Sequence, residues 1–202
     1  MLSVISEQNN SQSIETSLTF TIQNKKMNIL ITILFVIASL ISLMLIIAIF
    51  MKKDHYVKSE IIINAPHQKI FDYVKLLQNQ DKFNTHAKVD PDRIEEFKGT
   101  DGTVGYIYSW SGNKNAGEGE KEIINIIEGK RIETEIRFIK PMKTSAKVIM
   151  DTESISNNQT KVTWSNSGTL KYPLNMMIPL FQKMFAKAMD SSLSTLKIIL
   201  EK

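Results

Sequence analysis

The chain has 202 residues, with 25 Lys and Arg against 21 Asp and Glu, a net charge of +4 and no cysteine. This length holds one ordinary domain with an extra segment, or two very small domains. The absence of cysteine excludes a disulfide framework, a thiolate metal site and a cysteine nucleophile. The charge surplus is scattered, with no basic stripe interleaved with exposed aromatics, so nucleic acid is not an expected partner.

The first organised segment is residues 27–51, which carry no charge and are interrupted only by Asn28, Thr32, Ser39 and Ser42. As a helix these residues span about 37 Å, enough to cross a hydrocarbon core of about 30 Å. Lys25, Lys26, Lys52 and Lys53 bracket the run, with stems long enough to reach the headgroups. The run is too long for a signal peptide and ends without a small-x-small cleavage site, which points to a single permanent span. Within roughly 18 residues of it, Lys52, Lys53, Lys58 and Lys69 outnumber Lys25 and Lys26, a bias that places the following domain in the cytoplasm. Residues 1–26 are rich in Ser, Thr, Gln and Asn without an apolar period, which predicts a disordered tail. Translation could equally begin at Met1 or Met27.

Residues 52–202 read as one domain. Tyr56 to Asn64 is a strand, and Pro66 opens a short helix with Ile70, Phe71, Val74 and Leu77 on one face. Residues 78–91 are polar and irregular, as in a broken helix or a loop. The period then changes to two, with a weak strand over 93–98 and alternation of Val104, Tyr106, Tyr108 and Trp110. Strands follow over 117–127, 131–140, 143–153 and 161–168. In the second of these, Ile132, Thr134, Ile136 and Phe138 share one face, and Arg131, Glu133, Glu135 and Arg137 the other, as in an antiparallel sheet with one wet side. A helical stripe from Met177 through Phe181, Met184, Phe185, Met189, Leu193, Leu196 and Leu200 closes the chain. Pro173 and Pro179 set its first turn apart. The predicted architecture is α+β, a curved antiparallel sheet around a long C-terminal helix.

The ordered set Ile63-Asn-Ala-Pro66, Ile70-Phe-Asp-Tyr-Val74, Gly102-Thr-Val-Gly105-Tyr-Ile-Tyr-Ser-Trp110, Gly117-Glu-Gly119-Glu120, Phe138-Ile-Lys-Pro141, Thr160-Lys-Val-Thr-Trp164 and Leu193-Ser-Thr-Leu-Lys197 resembles the START/Bet v 1-like helix-grip superfamily. Within it, the chain is most similar to the polyketide cyclase/dehydrase and lipid transport branch. Members often carry tryptophans after the first helix, where this chain has Phe83 and His86. The resemblance implies a cavity between sheet and helix that takes lipids, polyketides or other greasy molecules, and no resident cofactor.

On this basis the expected ligand-lining residues are Tyr106, Tyr108, Trp110, Phe138, Met150, Trp164, Met177, Phe181, Met184 and Phe185. Methionine adapts to irregular guests, although for any one of these residues core filling is the commoner role. Seven of the eight glycines lie between Gly99 and Gly129, but without a phosphate-loop pattern they read as hairpin turns. His55, His67 and His86 lack metal-ligand spacing. Glu118 and Glu120, with His86 and Tyr108, are candidate acid/base groups for a cyclase-like enzyme on a carbonyl compound. Solvated faces are the simpler account of the two glutamates and of Lys140, Lys143 and Lys147. Arg137 falls on the outward face. Three functions follow in order: a membrane-tethered binder of a hydrophobic small molecule or lipid, such an enzyme, or a protein-binding regulatory domain.

Overall fold

The computed structural model describes residues 2–85 and 90–202. They divide into two compact units, residues 1–50 and 51–202. The first unit is a single helix, α1 (Leu2–Phe50). It runs from Leu2 through Lys26, where the composition predicted a disordered tail. The chain has no glycine or proline before Pro66, so nothing stops a helix nucleated in the apolar run from propagating towards the N-terminus. Its segment Lys25–Phe50 is long and apolar enough to cross a membrane.

In the second unit β1 (Asp54–Ile63) leads through Ala65-Pro66 into α2 (His67–Lys75) and α3 (Leu77–Phe83). Pro66 supplies the extended residue that caps α2, with φ −61° and ψ 141°. The polar stretch read as irregular contains α3, whose first amides Leu77 N and Gln78 N donate to the Asp101 carboxylate at 2.8 and 3.1 Å. A capping group 24 residues away is invisible to local pattern. Then follow β2 (Ile94–Lys98), β3 (Ile107–Ser111), β4 (Glu118–Ile127), β5 (Arg131–Lys140), β6 (Thr144–Ser156) and β7 (Gln159–Thr169). Val104 lies outside β3 and is 60% exposed. Gly105, at φ +85°, turns the chain between it and Tyr106. A short 3-10 turn (Leu174–Met177) after Pro173 precedes α4 (Ile178–Leu200), which has Pro179 in its first turn.

The seven strands form one antiparallel sheet in the order β1-β7-β6-β5-β4-β3-β2. A register shift between Ile123 and Asn125 adds bend to β4. The inner face carries Ile63, Ile123, Ile132, Met150 and Val162, and α2 brings Ile70, Phe71 and Val74 against it. α4 completes this core with Met189, Leu193, Leu196 and Leu200.

Candidate functional site

Register places one row of inward residues across all seven strands. His55 pairs with Gly168, Gly168 with Ala146, Ala146 with Ile136, Ile136 with Lys121, Lys121 with Tyr108, and Tyr108 with Phe97. The row begins at an open groove and ends in a buried polar cluster.

The cluster centres on Lys121, 9% exposed although it carries an ammonium group. Its Nζ donates to Gln80 Oε1, and Gln80 is held in turn by its Nε2 donating to Val74 O at 2.7 Å. Burial pushes the Lys121 amine down to about 8, against the opposing pull of Asp81 and Asp101. Beside it, Arg93 pairs with Asp81 at 2.8 Å and Glu95 at 2.7 Å, and its guanidinium lies 5.7 Å from the Tyr108 ring centroid. Tyr108 Oη contacts Arg93 Nη2 and donates to Glu95 Oε1 at 3.0 Å. Burial and the neighbouring Asp81 raise the Tyr108 phenol well above its usual range, so it holds its proton. Burial also raises the Asp81 carboxyl, with Tyr108 and Arg93 acting against it. Four kinds of titratable group thus meet on the inner face in two neighbouring hydrogen-bonded sets, Lys121 with Gln80, and Arg93 with Asp81, Glu95 and Tyr108.

The groove lies at the other end of the row. It encloses about 910 Å³, between the end of β5 with its connection to β6 on one side and the end of β7 with Leu170 to Leu174 on the other. Phe138, Ile139, Met142, Ala146, Leu170 and Leu174 supply apolar wall, and Lys143, Lys147 and Lys171 supply cations. Its acidic groups are occupied: Asp54 accepts from Thr169 Oγ1 at 2.7 Å, and Glu135 pairs with Arg137 at 2.6 Å. His55 also lines the groove, its ring across Gly168, where an added Cβ would fall 2.7 Å from His55 Cε1.

Of the ten residues expected to line a ligand, Phe138 lies on this groove. Tyr106, Tyr108, Met150 and Trp164 belong to the packed core. Trp110 is half-buried, stacked on Tyr108 at 6.0 Å and edge-on to Phe138 at 6.0 Å. Phe181 and Phe185 are half-buried with ring centroids 6.3 Å apart, while Met177 and Met184 are exposed. Glu118 and Glu120 face outwards with Arg137. Glu118 pairs with Lys140 at 2.6 Å, and Arg137 holds Glu120, Glu122 and Glu135 at 2.5, 2.6 and 2.6 Å. The outward glutamate pair is therefore an ion-pair lattice on the wet side, not a buried acid/base couple. His67 meets Thr152 Oγ1 at 3.0 Å, and His86 lies outside the described residues.

Sequence reasoning missed Lys121, Asp81, Gln80 and Arg93. One signal for Lys121 was present: it stands two residues before Ile123, and period two puts both on the same face.

No protein-family model and no curated protein sequence matches the chain. Solved structures do match, over the second unit. Truncated norcoclaurine synthase from Thalictrum flavum superposes with a TM-score of 0.56 at 14% identity, covering 74% of this chain and 95% of that one. A protein from Chromobacterium violaceum gives 0.53 at 12% identity, covering 73% and 97%. The Aha1 dimer from Colwellia psychrerythraea gives 0.50 at 18% identity, covering 73% and 96%. The second unit has the Bet v 1-like helix-grip fold.

Proposed function

We propose that residues 52–202 form a binding domain for a hydrophobic small molecule or lipid, kept at a membrane by the apolar part of α1. The groove carries this reading. Its 910 Å³ lies in the usual range for small-molecule sites, and it joins apolar walls to a few polar groups. The anchor is supported by length and composition: Lys25–Phe50 is long and apolar enough to cross a membrane, and its apolar side chains lie on every side of the helix. A tether also raises the effective concentration of membrane-derived guests near the groove. Lysine bias puts the domain on the cytoplasmic side.

Two measurements test this. Alkaline carbonate extraction should leave the chain in the membrane pellet; release into the supernatant refutes the anchor. Native mass spectrometry of the full chain, freed from detergent in the gas phase, should show an added or copurified apolar molecule. Its consistent absence refutes the binding role.

A second reading, an enzyme acting on a carbonyl compound in the manner of the polyketide cyclase/dehydrase branch, is favoured by Lys121. An amine lowered to about 8 is partly neutral near physiological pH and able to take a proton. Tyr108, protonated on the same row, would polarise a carbonyl oxygen by donating to it. Glu118 is no longer a candidate base, because it faces outwards. Loss of turnover in Lys121→Met, with ligand binding retained, supports catalysis; unchanged turnover of a poly-β-ketone substrate removes it.

A further inference from the structure

The charges of the groove are unequal in what they have left to offer. Lys140 is paired with Glu118 at 2.6 Å and Lys147 with Glu133 at 2.7 Å. Lys143 and Lys171 face each other's segment across the groove, both are exposed, and neither forms an ion pair with any described residue. Asp54 keeps its charge under the Thr169 hydroxyl, so the lining sets three lysines (Lys143, Lys147, Lys171) against two carboxylates (Asp54, Glu135) and presents a small net positive charge beside Ile139, Met142, Leu170 and Leu174. His55 Nε2 lies 3.3 Å from Asn166 Oδ1 and its Nδ1 is buried out of reach of the groove, so the ring adds wall there and no ligand contact. A ligand satisfying both features has an anionic head and an apolar chain.

We infer that the groove selects an anionic amphiphile, with the charged head between Lys143 and Lys171 and the chain along Phe138 towards Ile136. The inference rests on the hydrophobic-ligand reading and adds head-group selection to it. Register supports the path of the chain: Phe138 and Ile136 are successive inward residues of β5, and Ile136 separates groove-lining Ala146 from Lys121.

The test uses the full chain in phosphatidylcholine nanodiscs and lysophosphatidic acid carrying a photoactivatable group on its acyl chain. Adducts should map to peptides spanning residues 138–147 and 170–174. Unlabelled lysophosphatidic acid should compete at least about tenfold better than lysophosphatidylcholine, which keeps the hydroxyl and chain but cancels the charge, and inorganic phosphate should not compete. The double variant Lys143→Glu/Lys171→Glu should lower labelling by about tenfold, while Lys183→Glu, exposed on α4 and off the groove, should leave it unchanged. Equal competition by lysophosphatidylcholine, or indifference to the double variant, overturns head-group selection and leaves the hydrophobic-ligand reading standing. Competition by inorganic phosphate as strong as by the lipid overturns the amphiphile in favour of a free-anion site. Adducts confined to residues beneath α4 refute the groove alone, and no adduct anywhere refutes both readings.

Discussion

The two halves of α4 carry similar numbers of apolar residues, seven of eleven and six of twelve, and meet opposite fates. From Met189 to Leu200 the stripe Met189, Leu193, Leu196 and Leu200 is driven into the core, with Leu193 1% and Leu196 0% exposed, and only Ile198 of the large apolar residues there points outwards. From Ile178 to Ala188 the same kind of stripe stays partly bare: Leu180 is 63% exposed and Met184 49%. The difference comes from what lies opposite. The C-terminal half meets Ile63, Val74, Leu77 and Phe83, contributed by β1, α2 and α3. The N-terminal half lies beside the start of β1, where Gln182 Nε2 donates to Tyr56 O at 3.3 Å and Tyr56 is itself exposed. An apolar period therefore specifies a helix, but burial requires a second layer, and here that layer covers half its length. One end of the domain is closed and carries stability, leaving the other free to bind.

That contrast breaks most visibly in a pair of truncations. Leu196→Ala should cost about 3 kcal/mol by opening a cavity in the packed half, whereas Leu180→Ala should cost less than about 0.5 kcal/mol. Chemical denaturation of the full chain, followed through buried Trp164, measures both. Equal costs would mean that the halves are not distinct.

The buried amine gives a sharper test, because it is the one place where the closed end holds charge. The folded amine titrates near 8 and the unfolded one at 10.5. Between those values the unfolded chain binds the extra proton, so stability rises with pH across that window and is lower by a constant amount below it. Lys121→Met should abolish this rise, worth about 3 kcal/mol at most. Denaturation midpoints at pH 7 and pH 10.5 decide it: a wild-type protein with no rise refutes the burial of a charged amine.

The smallest effect belongs to the wet face. Arg137→Met leaves Glu120, Glu122 and Glu135 without their shared cation, yet these groups are partly solvated. The expected loss is about 1 kcal/mol or less, and it should shrink with added salt as the three carboxylates are screened. A loss that is insensitive to salt would place Arg137 in packing instead.

What the sequence disclosed follows the same division. Strand β5 was readable because Ile132, Thr134 and Ile136 alternate with charge on a sheet wet on one side, and α4 because its stripe runs unbroken. The helix-grip order of elements followed from those periods. Helix α3 escaped because its cap, Asp101, and its anchor Gln80 act across tertiary contacts. The polar cluster escaped for a related reason. Gly117 and Gly119 blur which face of β4 is inward, and Gly119 is glycine because the Trp110 ring lies 2.7 Å from where its Cβ would stand. Once that ring fixes the face, Lys121 is inside. Aromatic and methionine content pointed towards a greasy interior, but Tyr106, Met150 and Trp164 are used as core, which composition alone does not distinguish from lining.

The ladder between β1 and β7 has a consequence for synthesis. Ile63 pairs with Thr160, and Asp54 with Thr169. The first strand to leave the ribosome after the apolar helix has no mate until about a hundred further residues are made, roughly 5 to 20 s at ordinary elongation rates. During that interval its hydrogen-bonding edges are open, and α4, which seals it, arrives last. A nascent chain stalled anywhere before residue 160 would display an unsatisfied strand, so a holding chaperone, or rapid completion, is part of what this topology demands of its cell.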